Sequence, residues 1–371
     1  MGTQQKITNF FMGNTSNDTS ANHEQDEESF TYAMQIVLSM ILPMSMQAAI
    51  ELQVFEIIAK AGPDAKLSAQ EIVAQLPSKN PEASSLLLDR LLRVLASHSI
   101  VGCSLADDEQ GGNSERVYYS LTPVSKYFVQ NEDGGSLGPL MNLFQDKVFL
   151  ASWSQVKDAI LEGGIPFDRV HGTNAFEYYC GRDPRFNQLF NTGMINHTTL
   201  VMKKILETYK GFEKLNRVVD VGGGLGMTLS IITSKYPSIQ GINFDLPHVI
   251  QHAPAYPGQQ TLTTGVAHVG GDMFESVPNG DAIFLKLLKN CYKAIPDDGK
   301  VIVLDAVLPV IPEPNSYVRA TSMMDFLMLT QIPGRKERTK QEFEALATQA
   351  GFSGIRYECF VCNLCLMEFF K

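Results

Sequence analysis

The run Asp220-Val-Gly222-Gly-Gly224-Leu-Gly226 constrains this chain more than any other feature. It follows the apolar stretch RVVDV and precedes LGMTLSIITSKYP, whose pattern is helical, so it marks a strand-to-helix junction. Without Cβ atoms the loop turns tightly and lets a ligand lie against its backbone. The acid at the strand end accepts hydrogen bonds or offsets positive charge. A dinucleotide fingerprint also sets Gly-x-Gly after a first strand. Its third glycine would fall at Met227, whereas the spacing here is D-x-G-x-G-x-G.

From about residue 200 to the end, strand-like runs alternate with helical ones. VIVL and AIFL are continuously apolar, which indicates a parallel sheet buried on both faces. ECFVCNLCLMEFF reads as a terminal strand. Asp245 ends the strand after the glycine loop, where a carboxylate can take both ribose hydroxyls. Asp272-Met273 follows a third strand, where a carboxylate and a thioether can bracket an adenine. One such acid is most simply a cap or turn residue. Three at successive strand ends point to a nucleoside in the crevice where open parallel sheets bind ligands. A ligand with an ammonium and a sulfonium but no pyrophosphate, S-adenosylmethionine, suits the glycine spacing.

Ahead of this region, residues 1–29 are polar and acidic and are expected to form a mobile tail. Residues 30–140 are helical, with two helices separated at Pro43, a capping box at Ser68 and Glu71, and a short strand in VYYSL. This order looks like a winged helix. Arg90 and Arg93 would serve DNA on that reading, or lie on a solvated helix face. A formal net charge of −10 favours the second and argues against nucleic acid or an anionic membrane as partner. Residues 141–371 form the ligand-binding domain. No secretory signal is evident, and the apolar stretch from Ala33 to Leu52 is broken by Gln35, Pro43 and Gln47, so cytosol is the expected location. Cys359, Cys362 and Cys365 have no fourth ligand nearby and read as small buried hydrophobes, and no metal is expected. His248 and His252 stand at helical i, i+4 spacing.

The blocks VDVGGGLG, INFDLPHVI, HVGGDMF, LLKNCYKAIPDDGKVIV and ERTKQEFEALA resemble the plant caffeic-acid-type O-methyltransferases, as do QAAIELQVFEII and RFNQLFNTGM. The resemblance covers nearly the whole chain from residue 30. It implies an α/β fold: a Rossmann-like methyltransferase domain, with a mostly parallel sheet flanked by helices, behind an N-terminal winged-helix-like dimerisation domain. It implies a homodimer acting on a small aromatic substrate. By motif matching, Gly222, Gly224, Asp245, Leu246, Asp272, Met273 and Lys286 take the S-adenosylmethionine-binding roles. Phe186, Phe190, Met194, His197, Leu327 and Met328 fall where the family lines its substrate pocket, although plain core is the simpler reading of the apolar ones.

The chain departs from the family where the base should be. The family carries a histidine in an HDW-type segment directly after the FLKW strand. Here FLK runs straight into LLKNCY, about thirteen residues of the pattern are absent, and the histidine with them. The acids that orient it in the family correspond to Asp305 and Glu337. QQTLTTG, from Gln259 to Gly265, is an extra run. Two length changes so close together suggest altered splicing or an error in the gene prediction. With almost no loop between Lys286 and Leu287, the strand-to-helix join is expected to be strained. Three readings follow: O-methylation of a small phenol, N-methylation of an aromatic amine such as anthranilate, and a cofactor-binding subunit without activity.

Overall fold

The computed structural model describes residues 17–105, 116–255, 265–284 and 288–371. The chain divides into two units between Lys126 and Tyr127, earlier than the boundary expected at residue 140. Residues 17–29, expected in the mobile tail, lie in helix α1 (Asn17–Val37). Glu24, Gln25, Glu27 and Glu28 are good helix formers, and every side chain from Asn22 to Ile41 is exposed. Helix α2 (Ile41–Glu51) carries Pro43 in its first turn, where a backbone N–H would have no helical partner anyway. The break associated with that proline therefore falls just before it, at residues 38–40.

Gln53 takes a left-handed conformation (φ 55°) between α2 and α3 (Val54–Lys60). The capping box forms at the start of α4 (Ala69–Val73): Ser68 Oγ accepts from Glu71 N, and Glu71 Oε2 accepts from Ser68 N at 2.7 Å. Helix α5 (Pro81–Ser97) buries Leu88, Leu92 and Leu95, one side chain per turn, which keeps a single face on the core. The antiparallel strands β1 (Val101–Leu105) and β2 (Val117–Leu121) follow, and Leu67 bridges to Tyr119. The Tyr119 hydroxyl is fully buried and donates to Asp89 Oδ1 at 2.7 Å, satisfying a polar group that burial would otherwise make costly. Asp89 also pairs with Arg93 at 2.7 Å, and Arg90 is exposed.

The second unit opens with helices α6 (Gly138–Phe144), α7 (Lys147–Ser152), α8 (Val156–Glu162), α9 (Pro166–His171), α10 (Ala175–Gly181) and the long α11 (Pro184–Thr208). Strand β3 (Arg217–Val221) leads into α12 (Met227–Lys235), β4 (Gln240–Asp245) into the short α13 (Pro247–Ile250), and β5 (Gly265–Gly270) follows. Then come β6 (Ala282–Phe284), α14 (Leu288–Ala294), β7 (Lys300–Asp305), β8 (Val307–Leu308), α15 (Ser316–Gln331), β9 (Arg338–Thr339) and α16 (Lys340–Ala350). The chain finishes in β10 (Gly354–Val361) and β11 (Leu364–Phe370).

Seven strands form one sheet in the order β10-β11-β7-β6-β3-β4-β5, with β5 through β7 parallel and β11 antiparallel to β7. This is the Rossmann-like α/β architecture. Alternate residues of the same strands serve opposite faces. Val219, Ile283, Val301 and Met367 pack with Phe343 on one side, and Val218, Ala282, Ile302 and Leu366 with Ile205 and Ile232 on the other. Each such apolar side chain contributes about 1.5–3 kcal/mol by burial.

The C-terminal reading needs correction. ECFVCNLCLMEFF is a hairpin rather than one strand: Cys362 and Asn363 both have positive φ (52° and 62°) and turn β10 into β11. Two successive left-handed residues give the twist that a two-residue hairpin requires. Cys362 is thus exposed at a turn and Cys365 buried, while Cys359 packs on the sheet face opposite to Cys365. Among the described residues no group of three or more His, Cys, Asp or Glu side chains converges on a metal position. The helix carrying His248 ends at Ile250, so His252 is not its helical i, i+4 partner. Among the described residues no single helix is long and apolar enough to cross a membrane. The join between Lys286 and Leu287, and the extra run up to Thr264, lie outside the described residues.

Candidate functional site

Strand β3 lies between β4 and β6, so the chain winds away in both directions from this point. Such a switch point opens a crevice at the carboxyl ends of the strands. The glycine loop fills that position, and its glycines divide the work. Gly222 and Gly224 have positive φ (74° and 58°), which a side chain would strain, and their Cα hydrogens face open space. Gly223 has the opposite constraint: a Cβ there would meet Asn243 Oδ1 at 2.2 Å and Asp220 Oδ2 at 2.6 Å. Backbone bonds from Gly222 N to Phe244 O (2.8 Å) and from Gly226 N to Gly223 O (2.9 Å) fix the turn.

Two carboxylates stand one strand apart beneath this loop. Asp245 is half-exposed; its Oδ2 accepts from Gly224 N at 2.8 Å and its Oδ1 from Leu246 N at 2.7 Å. A carboxylate has about four lone-pair sites, so each oxygen retains one for a sugar hydroxyl. Asp220 is buried. Desolvation, and next the Asp245 charge, push its pKa up to about 7, while a hydrogen bond with the Thr228 side chain opposes the rise. Asn243, fully buried on β4, uses its Nδ2 to bond Gly224 O at 2.9 Å and His268 Nδ1 at 3.1 Å. His268 Nε2 then reaches Pro254 O at 2.9 Å.

Asp272 and Met273 follow β5, and β5 pairs with β4 so that Gly270 stands opposite Asp245. Asp272 is exposed, with Oδ1 accepting from Phe274 N at 2.8 Å. Met273 is half-buried against the core. Asn290 on α14 holds this turn, its Nδ2 donating to Met273 O (2.8 Å) and Phe274 O (3.0 Å). Open backbone at Gly222 and Gly224, spare lone pairs on Asp245 and a half-buried thioether at Met273 fit a sulfonium nucleoside. The structure therefore brings together Gly222, Gly224, Asp245, Leu246, Asp272 and Met273 at adjacent strand ends. Lys286 lies outside the described residues. Asn243, His268 and Asn290 were not anticipated; the signal for the first was a polar residue inside the buried strand GINFD.

The residues expected to line a substrate pocket come from helices far apart in the chain. Helix α11 places Phe186, Phe190, Met194 and His197 along one face. Phe186 has no exposed surface, its ring 5.3 Å from Phe149 and 5.2 Å from Tyr179. Phe190, half-buried, lies 4.8 Å from Tyr179, and Met194 packs on the same cluster. His197 is half-buried. Leu327 is buried and Met328 half-buried on α15, and Ile332 just past that helix joins the aromatic cluster.

Asp305 closes β7, is buried, and accepts from Ala306 N at 3.1 Å. The parallel pairing of β8 with β9, Val307 opposite Arg338, draws the chain at Glu337 alongside the chain at Asp305. Asp325 of α15 holds Glu337 in place by accepting its backbone N–H at 2.7 Å. No histidine follows His268 in the sequence.

Residues 153–353 match the O-methyltransferase domain family and residues 34–131 the O-methyltransferase dimerisation domain family. The chain is 54% identical to catechol O-methyltransferase 1 of Solanum lycopersicum, over 97% of this chain and all of the relative. It is 52% identical to caffeic acid 3-O-methyltransferase of Clarkia breweri (97% of this chain, 98% of the relative). With anthranilate N-methyltransferase of Ruta graveolens it shares 53% identity (94% and 95%). Human N-acetylserotonin methyltransferase in complex with SAM superimposes with a TM-score of 0.71 at 18% identity, covering 97% of this chain and 99% of that one, which is a likeness of fold.

Proposed function

Because this chain belongs to the plant caffeic-acid-type family of S-adenosylmethionine-dependent O-methyltransferases, we propose that it methylates a hydroxyl of a small plant phenol of the phenylpropanoid or flavonoid kind. The observation that carries this reading is the placement of the glycine loop, Asp245 and Asp272 at successive strand ends. Bound S-adenosylmethionine supplies an electrophilic methyl group on sulfur. The chain's own residues then do the rest. Gly222 and Gly224 offer backbone, Asp245 takes the ribose hydroxyls, Asp272 and Met273 hold the adenine, and Lys286 completes the set. Phe190, Met194, His197 and Met328 orient the acceptor ring, with Phe186 and Leu327 supporting them from the core. Asp305 and Glu337 flank the acceptor oxygen.

A phenol has a pKa near ~10 and is a poor nucleophile until its proton leaves. A positioned general base is worth ~10²–10⁴ in rate. On the resemblance's implication that the family's histidine segment is missing, turnover depends on holding donor and acceptor together, which supplies roughly 7–11 kcal/mol in ideal cases. That same absence favours a second reading, N-methylation of an aromatic amine, whose lone pair needs no prior deprotonation. Labelled-methyl transfer to a panel of phenols and aromatic amines, run beside calorimetry with S-adenosylhomocysteine, tests both. Methyl on hydroxyl is the expected result, and restoring the thirteen residues should raise its rate by about two to four decades. Methyl on nitrogen alone selects the second reading. Binding without turnover indicates an inactive cofactor-binding subunit, and absence of binding overturns the proposal.

The first unit is proposed to pair two copies of the chain. Phe30, Ile36, Val37, Met40 and Ile41 are large, apolar and exposed along α1 and the start of α2, an arrangement that a monomer rarely leaves in water.

A further inference from the structure

Beneath the glycine loop, two buried oxygens have no hydrogen-bond partner among the described residues: Asp220 Oδ2 and Asn243 Oδ1. Both border the same small space, the one a Cβ on Gly223 would occupy. Asn243 has committed its amide nitrogen to Gly224 O and His268 Nδ1, so its oxygen can only accept. An ionised Asp220 would set an acceptor beside an acceptor in a site closed to water, with Asp245 adding a like charge. A single proton resolves all three conflicts.

We infer that Asp220 is a positioning residue held as the neutral acid, its O–H donating to Asn243 Oδ1 beneath Gly223. The resulting chain runs from Asp220 through Asn243 to His268 and the carbonyl of Pro254, and it fixes Gly224 between Asn243 and Asp245. His268 completes the chain with Nδ1 accepting from Asn243 Nδ2–H and Nε2–H donating to Pro254 O. Among the described residues, the groups facing Asp220 are Asp245 on β4, Thr228 on α12 and, through Asn243, His268 on β5, and the paired strand β6 offers the apolar Ala282, Ile283 and Phe284. The role assigned to the loop that Asp220 steadies rests on the nucleoside-binding reading above.

The direction of the pH effect follows. A carboxyl raised to about 7 is neutral in the folded chain where the unfolded chain has already released its proton. Stability from this group is therefore complete below the ordinary carboxylate range and declines as pH rises toward 7. Asparagine mimics the neutral acid at every pH. In unliganded D220N the Tm relative to the parent should accordingly rise by about 2–4 °C between pH 5 and pH 8. In calorimetry with S-adenosylhomocysteine, D220N should bind about as tightly at pH 8.5 as at pH 6, whereas the parent weakens several-fold. A Tm difference that is equal at both pH values overturns the inference, as does a tenfold or greater loss of affinity in folded D220N at pH 6. Should D220N not fold, Thr228→Val decides. Losing the bond that favours the charged form should move the midpoint of the pH–stability profile upward, and an unmoved midpoint overturns the inference. If the parent itself binds no nucleoside, the binding-site reading fails while the melting comparison still judges Asp220.

Discussion

The two halves of the proposed site are built on different principles. In the proposed nucleoside half, the glycine loop, Asp245 and Asp272 stand at or just past successive strand ends, each carboxylate accepting a backbone N–H. Gly224 N to Asp245 and Phe274 N to Asp272 are examples. In the proposed acceptor half, Phe186, Phe190 and Met194 of α11 are held by ring and methyl packing around Phe149, Phe167 and Tyr179, and Leu327 and Met328 come from α15. Directional bonds give the first half one geometry. Packing gives the second half a shape that changes whenever a side chain does. A family that keeps one donor and varies its acceptors needs this division.

Substitutions can break or sharpen the contrast. The largest effect is expected from Phe186→Ala, which empties the centre of the aromatic cluster. A loss of about 3–5 kcal/mol in denaturant-derived stability should result, far beyond that from Phe190→Ala, which should chiefly raise the KM for the acceptor. Equal losses would mean that the two rings share one role. Gly223→Ala is expected next, at about 1–3 kcal/mol, because its methyl would overlap the Asp220–Asn243 space. Calorimetry should show S-adenosylhomocysteine binding weakened by at least tenfold, with the acceptor-side cluster untouched. Asn290→Ala is expected to have the smallest effect, about 1 kcal/mol, from releasing the Met273 and Phe274 carbonyls. It should weaken nucleoside binding a few-fold and leave the acceptor's KM unchanged; a shift in KM instead would show that the halves communicate through that turn.

The same division governs how much was legible in the sequence. The turn of the glycine loop could be read because one short stretch carries its positive-φ backbone conformations. Asp245 and Asp272 could be read because strand ends are predictable from apolar runs. Asn243 and Asn290 were missed because their partners, Gly224, His268 and the Met273–Phe274 carbonyls, lie 16 to 25 positions away. The residues proposed for the pocket were named only through family resemblance, since an apolar helix face looks alike in a core and in a pocket, and Phe186 is itself fully buried. The C-terminal hairpin was hidden because its turn is Cys-Asn rather than the Asn-Gly or Asp-Gly that left-handed positions usually select. Residues 17–29 were misread on polarity, although their glutamates and glutamines suit an exposed helix.

Strand β11 lies between β10 and β7, so residues 364–370 occupy an interior place in the sheet. On the ribosome, β7 must wait with one edge bare while more than a turn-and-helix length of chain is still being added. At the usual pace of synthesis, about 5–20 residues per second, that wait lasts on the order of several seconds. During it the aliphatic run VIVL is open to pairing with other nascent chains. Residues 364–370 thus close the central sheet, and their arrival sets the earliest moment at which that sheet can be complete.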